Sequence, residues 1–180
     1  MEHLADDSPP GLSAGRAALL AAAAGYAVLV AYQAFTLPDK VPGHVGPGGD
    51  VTWWGDRAGH VAIASALGLS LFLLMWFLPR LIGRMPQDLV NMPHKEYWLR
   101  PENLPRAQRM LADDLSWIGA ATLAFVGYAM YEVGKIAGGV EPFLGAFWVV
   151  FALYMVGVIG WSLRMQFGSR WRPPRSHSQG

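Results

Sequence analysis

Four long stretches of this chain contain no charged side chain. Residues 17–38, 58–79, 115–131 and 142–163 lack Asp, Glu, Lys and Arg, giving windows of 22, 22, 17 and 22 residues. A helix rises ~1.5 Å per residue and a bilayer core is ~30 Å thick, so roughly 20 apolar residues cross it. Three windows meet that length and the third falls just short. Together they use nearly half of the 180 residues. No room is left for a sizeable soluble domain. Charged residues make up 15% of the chain, where a soluble domain carries about 25%.

Backbone in hydrocarbon must satisfy its own hydrogen bonds, so the windows read as helices. A strand barrel needs alternating segments, and "FLLMWFL" does not alternate. The flanking residues agree. Pro38 and Pro79 are expected to stop the first and second helices. Asp56 can cap the second. Gly138-Gly139 ends the third, and Pro142 suits the first turn of the fourth. The expected fold is an all-α membrane protein, a bundle of four transmembrane helices over about 16–37, 57–78, 114–134 and 143–163. These form a single domain, residues 15–165, with an ordered outer loop and an amphipathic cytoplasmic segment. Composition makes 1–14 and the basic 166–180 unstructured tails.

Basic residues divide unevenly between the two sides of such a bundle. The N-terminal tail, the 80–109 loop and the C-terminal tail hold 11 of them, and the opposite side holds Lys40, Arg57 and Lys135. The positive-inside rule places both termini in the cytoplasm. The first window is read as an uncleaved helix, because its leading segment is acidic and its apolar run exceeds that of a signal peptide. Trp76, Trp117 and Trp161 fall near cytoplasmic span ends and Trp53 and Trp54 near the outer surface, as an aromatic belt would. Three small-residue pairs, Ala21/Gly25, Ala64/Gly68 and Gly157/Gly160, offer close helix approach.

The outer loop is "LPDKVPGHVGPGGDVTWWG". Its prolines stiffen it, and Gly48-Gly49-Asp50 reads as a tight turn. His44, Asp56 and His60 could supply two imidazoles and a carboxylate to a metal. The plainer account is preferred: Asp56 caps a helix, His44 hydrogen-bonds within the turn, and His60 sits at headgroup depth. No metal or other cofactor is expected. The cytoplasmic loop contains "NMPHKEYWLRPENLPRAQRML", an aromatic patch between Pro93 and Pro101. Asn103 then can cap an amphipathic run, with Leu104, Ala107, Leu111 and Leu115 on one face, leading into the third span. Glu132 can pair with Lys135, and Gln33 is a single polar residue near the end of the first span. The cysteine count is zero, which excludes disulfides and thiolate sites. Phosphate-loop, HExxH and G-x-S-x-G motifs are lacking.

Both loops resemble blocks of one bacterial membrane family. Leu37, Pro38, Pro42, His44, Gly49, Trp54 and Gly55 match the signature L-P-x-x-x-P-x-H-x-x-x-x-G-x-x-x-x-W-G. It marks a domain of unknown function that also occurs in Sdp-type immunity proteins, which protect a cell against its own secreted toxic peptide. Asn91, Pro93, Lys95, Glu96, Tyr97, Trp98, Leu99, Pro101 and Glu102 match a second block, N-L-P-x-[KR]-[DE]-Y-W-L-x-P-E, of a short four-span branch. Val45, the Gly-Pro-Gly-Gly run and Met92 depart from the usual residues. The resemblance covers roughly 35–165 and implies a bacterial cytoplasmic membrane.

The leading expectation is a non-enzymatic binding, sensor or immunity-type module. It would recognise a peptide, lipid or small amphiphile through Pro38, Pro42, His44, Asp50, Trp54 and Gly55. The cytoplasmic motif (Asn91, Pro93, Lys95, Tyr97, Trp98 and Glu102) would anchor it or pass on a signal. The alternative is a small transporter or an accessory subunit of a transport complex. Expected partners are the bilayer, such a ligand, and either a second copy of the chain or a membrane subunit; nucleic acid is not among them.

Overall fold

The computed structural model describes residues 11–142 and 144–173. Four helices in it are long and apolar enough to cross a membrane, and the chain is a helical membrane-type protein as its charge gaps predict. They are α1 (Ala14–Thr36), α2 (Arg57–Leu81), α4 (Leu104–Ala137) and α5 (Leu144–Phe167). A four-residue helix α3 (Lys95–Trp98) lies in the loop between α2 and α4. The amphipathic run and the third span are one continuous helix, α4.

Helices α1, α2 and α4 form the packed core. Leu19, Tyr26, Val30, Ala64 and Leu123 are buried together. Of the three small-residue pairs, Ala64/Gly68 is the one used for close approach. A Cβ on Gly68 would collide with the Tyr26 ring, and the Tyr26 hydroxyl donates to the Ala64 carbonyl at 2.8 Å. Around Gly25, Gly157 and Gly160 there is open space. Helix α5 packs on the outside of α4 through rings: Phe125 stacks on Tyr154 at 4.6 Å, and Trp117 meets Trp161 at 6.1 Å.

Four expectations need correction. The outer loop is a two-stranded hairpin, β1 (Lys40–Val45) antiparallel to β2 (Val51–Asp56). The run Val51-Thr52-Trp53-Trp54 is β-branched and aromatic, which suits a strand. Its tip is the foreseen turn, closed by Gly46 N–H to Asp50 C=O at 2.8 Å with Gly49 at φ 90°. Second, Pro79 lies inside α2, which ends two residues later at Leu81; only one ladder bond is lost in a final turn that is already ending. Third, Asn103 does not cap α4 through its side chain. It has helical φ and ψ, and its amide donates to the Tyr97 carbonyl at 2.9 Å. Fourth, the C-terminal tail is ordered through residue 173, and Trp171 is buried. The rest of that tail, 174–180, and residues 1–10 lie outside the described residues; at the N-terminus, Ser13 caps α1 by accepting from Arg16 N–H at 3.3 Å.

Gly68→Val should cost about 1–3 kcal/mol by forcing Tyr26 off its position, while Gly25→Val, in open space, should cost little. Thermal unfolding of both variants in the same detergent checks this.

Candidate functional site

Two clusters stand at opposite ends of the bundle. At one end the hairpin folds over α4. Its base is fixed by Arg57, which donates to the Leu37 carbonyl at 2.9 Å and pairs with Asp39 at 3.3 Å. Asp56 caps α2 as expected, accepting from Gly59 N–H at 2.7 Å. Below the hairpin, Gln33 is only 2% exposed. Its amide donates to the Met130 carbonyl at 2.7 Å and accepts from His60 Nε2 at 3.1 Å. Buried amides of this kind need partners, and here both ends of the amide have one.

Between the hairpin and the ends of α4 and α5 lies a cavity of about 390 Å³. Strand β1 supplies Pro42, His44 and Val45 to its wall, and the turn adds Gly46 and Pro47. Helix α4 supplies Ala129, Glu132, Val133 and Ile136; Phe147 and Trp148 come from α5. The lining is mostly apolar with a few polar groups, in the size range of small-molecule sites. Glu132 is paired with Lys135 at 3.0 Å, as the spacing predicts.

Of the residues expected to bind a ligand, Pro42 and His44 line this cavity. Asp50 is not part of the wall; its carboxylate lies beside Gly46 and Gly48 within the turn. Trp54 is 49% exposed on the hairpin, and neither it, Gly55 nor Pro38 contributes to the wall. Gly55 lies instead against the Trp53 ring, as does Gly43, where a Cβ would collide with that ring. The weak metal candidate is not assembled. His44 Nδ1 is 2.7 Å from Thr52 Oγ1, His60 faces Gln33, and Asp56 is committed to its cap. Among the described residues no group of three or more His, Asp or Glu is placed to hold a metal.

At the other end the C-terminal segment is clasped to the bundle. Asp114, 3% exposed, accepts from Arg170 Nη1 at 2.9 Å and from the Trp171 indole at 3.0 Å. Asp113 accepts from Gly15 N–H at 2.9 Å and from Arg170 Nη2 at 3.3 Å, which ties in the start of α1. Trp98, 1% exposed, packs edge-on against Trp171 and donates to its carbonyl at 2.9 Å. Tyr97 packs edge-on against Trp98, and Arg106 lies over its ring at 5.8 Å. Of the remaining motif residues, Pro93 borders a small hollow beside Trp171, Lys95 opens α3, and Asn91 and Glu102 are exposed.

The sequence reading missed Asp113, Asp114, Arg170 and Trp171 on this side, and Phe147 and Trp148 on the other. A Trp inside a basic tail was the one local signal for the clasp. Neither family models, curated proteins nor solved structures give a match to this chain.

Trp171→Ala should cost about 3–5 kcal/mol, the range for truncating a buried Trp, and should raise amide exchange across 95–110. Arg172→Ala, at an exposed neighbour, should leave exchange there unchanged.

Proposed function

We propose that this protein is a non-enzymatic binding module that takes an amphipathic ligand, a small amphiphile or an apolar peptide segment, in the cavity beneath the hairpin. The observation that carries this reading is the cavity itself: about 390 Å³, apolar in its walls, with His44 and Glu132 as its polar groups. Such a composition suits a ligand with an apolar body and one polar end. An enzyme would need reacting groups brought within hydrogen-bond reach of one another. The charged and polar groups here are instead occupied by structural partners: Glu132 by Lys135, and His44 by Thr52.

The membrane is the bacterial cytoplasmic membrane in this reading, with both termini inside, so the cavity opens on the outer side. The 11-to-3 division of basic residues supports that orientation. Likeness to the Sdp-immunity group supports a protective or sensing role. The clasp of Asp114, Arg170, Trp171 and Trp98 then holds the cytoplasmic loop rigid, as an anchor or as the element that passes on the bound state.

A photoreactive residue at Val45 in native membranes tests the reading. It should capture a low-mass amphiphile or a short peptide, and the adduct should vanish when Val133→Trp fills the cavity. Capture only from position 94, of a soluble partner or a membrane subunit, would refute it in favour of an accessory role. A reporter that functions only in the cytoplasm should be active when fused after Gly180.

A further inference from the structure

At the clasp end one buried donor is left over. Among the described residues, the indole N–H of Trp161 is the buried side-chain polar group without a hydrogen-bond partner. The indoles of Trp98 and Trp171 are both satisfied. An unpaired buried donor is costly, so an acceptor is expected for this one. Trp161 lines a hollow of about 130 Å³ between α4, α5 and the turn at 168–171. One ordered water needs roughly 10–15 Å³, so there is room for a larger group. The other polar side chains of the lining are Asp114, Ser169, Arg164 and Arg170. Arg170 is engaged by Asp113 and Asp114, and the second oxygen of Asp114 accepts from the Trp171 indole. Arg164 enters no ion pair with any described residue and lies over the Trp161 ring at 4.6 Å. Across 113–114 and 161–173, Arg164, Arg170 and Arg172 stand against two aspartates. The group that suits this hollow is an oxygen acceptor with negative charge. Arg164 is in the last turn of α5, beside the exposed Leu163 and Phe167. In a membrane-spanning helix that is the level where acyl chains give way to head groups.

We propose that this hollow holds the phosphate of an anionic phospholipid. Its oxygens accept from the Trp161 indole and from the Arg164 guanidinium, and bonds between arginine and phosphate are charge-assisted. Basic pockets beside span ends suit lipid head groups. Asp114 does not oppose the phosphate as a bare charge, because Arg170 compensates it and both of its oxygens already accept bonds. The bound lipid joins α5 to the clasp. The site lies at the opposite end of the bundle from the cavity beneath the hairpin and does not depend on that reading.

The test follows the indole N–H signals of the full chain by NMR, isotope-labelled at its tryptophans, in maltoside micelles, which contain no phosphate. Trp161→Phe keeps a ring in place and identifies the signal of Trp161. Dioleoylphosphatidylglycerol, dioleoylphosphatidylcholine and inorganic phosphate are titrated in separately. Phosphatidylglycerol should move the Trp161 signal to saturation and slow its hydrogen exchange, while the signals of Trp98 and Trp171 stay in place. Phosphatidylcholine, whose head has no net charge, should act more weakly. Arg164→Gln should weaken the response to phosphatidylglycerol about fivefold, the scale of one basic side chain beside anionic lipid. Arg84→Gln, exposed and outside the hollow, should leave it unchanged. Inorganic phosphate acting as strongly as the lipid overturns the lipid as source. Movement of all the indole signals together reports a change in the micelle and overturns the site. No movement of Trp161 with any of the three, or a response indifferent to Arg164→Gln, overturns the proposal; water or residues 174–180 then serve the N–H.

Discussion

At about 1.5 Å per residue the 34 residues of α4 run roughly 51 Å, while a hydrocarbon core is about 30 Å thick. This excess length organises the molecule. The middle of α4 packs against α1 and α2 and carries the rings that hold α5. Its start projects far enough to present Asp113 and Asp114 to the C-terminal segment and to the first turn of α1. Its end projects far enough to give the hairpin something to close over. Helix α1 and the C-terminal segment are each fixed to this one helix by a few polar contacts. The carbonyl of Met130 receives Gln33, and the carboxylate of Asp114 receives Arg170 and Trp171. Gln33 and Asp114 are both nearly fully buried, and buried polar groups of this kind are costly to leave without partners.

The two ends have opposite character. The clasp end is dense, with Trp98 and Trp171 buried and their indole N–H groups both satisfied. Polar networks that are fully paired rigidify what they join. The hairpin end is open, with a hollow where the clasp end has a core. In the proposed function that contrast has a use. One end holds the loop and tail in a fixed frame, and the other leaves space for a ligand. Helix α5, which supplies Phe147 and Trp148 to the cavity wall, meets α4 mainly through ring contacts.

The sequence disclosed what depends on local composition. Charge gaps marked the four spans, the spacing of Leu104, Ala107 and Leu111 marked the amphipathic start of α4, and Asp56 before Arg57 marked a helix cap. Glu132 and Lys135, three residues apart on one helix, met as that spacing requires. What the sequence hid depends on distance along the chain. Asp114 and Trp171 are 57 residues apart, and no local pattern pairs them. A basic tail reads as solvated until its Trp finds a partner. The hairpin was obscured by Pro42, Pro47 and four glycines, which argue for an irregular loop, although Val51-Thr52-Trp53-Trp54 carried strand character. The cavity belongs to no segment: it exists because β1, α4 and α5 meet around it. Only Pro42 and His44 of the six expected ligand residues line it; Trp54, opposite Pro42 on β2, is half exposed and outside the wall.

The central claim is that a ligand cavity opens at the hairpin end, opposite the clasp. The chain has no cysteine, so one introduced at Val133 is the sole thiol. Labelling of intact cells with a small membrane-impermeant thiol reagent is the direct measurement. The account predicts that Cys at 133 reacts from outside and that a decyl-chain amphiphile protects it, while Cys at Ser169 reacts only after the cells are opened. Failure of position 133 to react in intact cells, or reaction that no amphiphile slows, would contradict it.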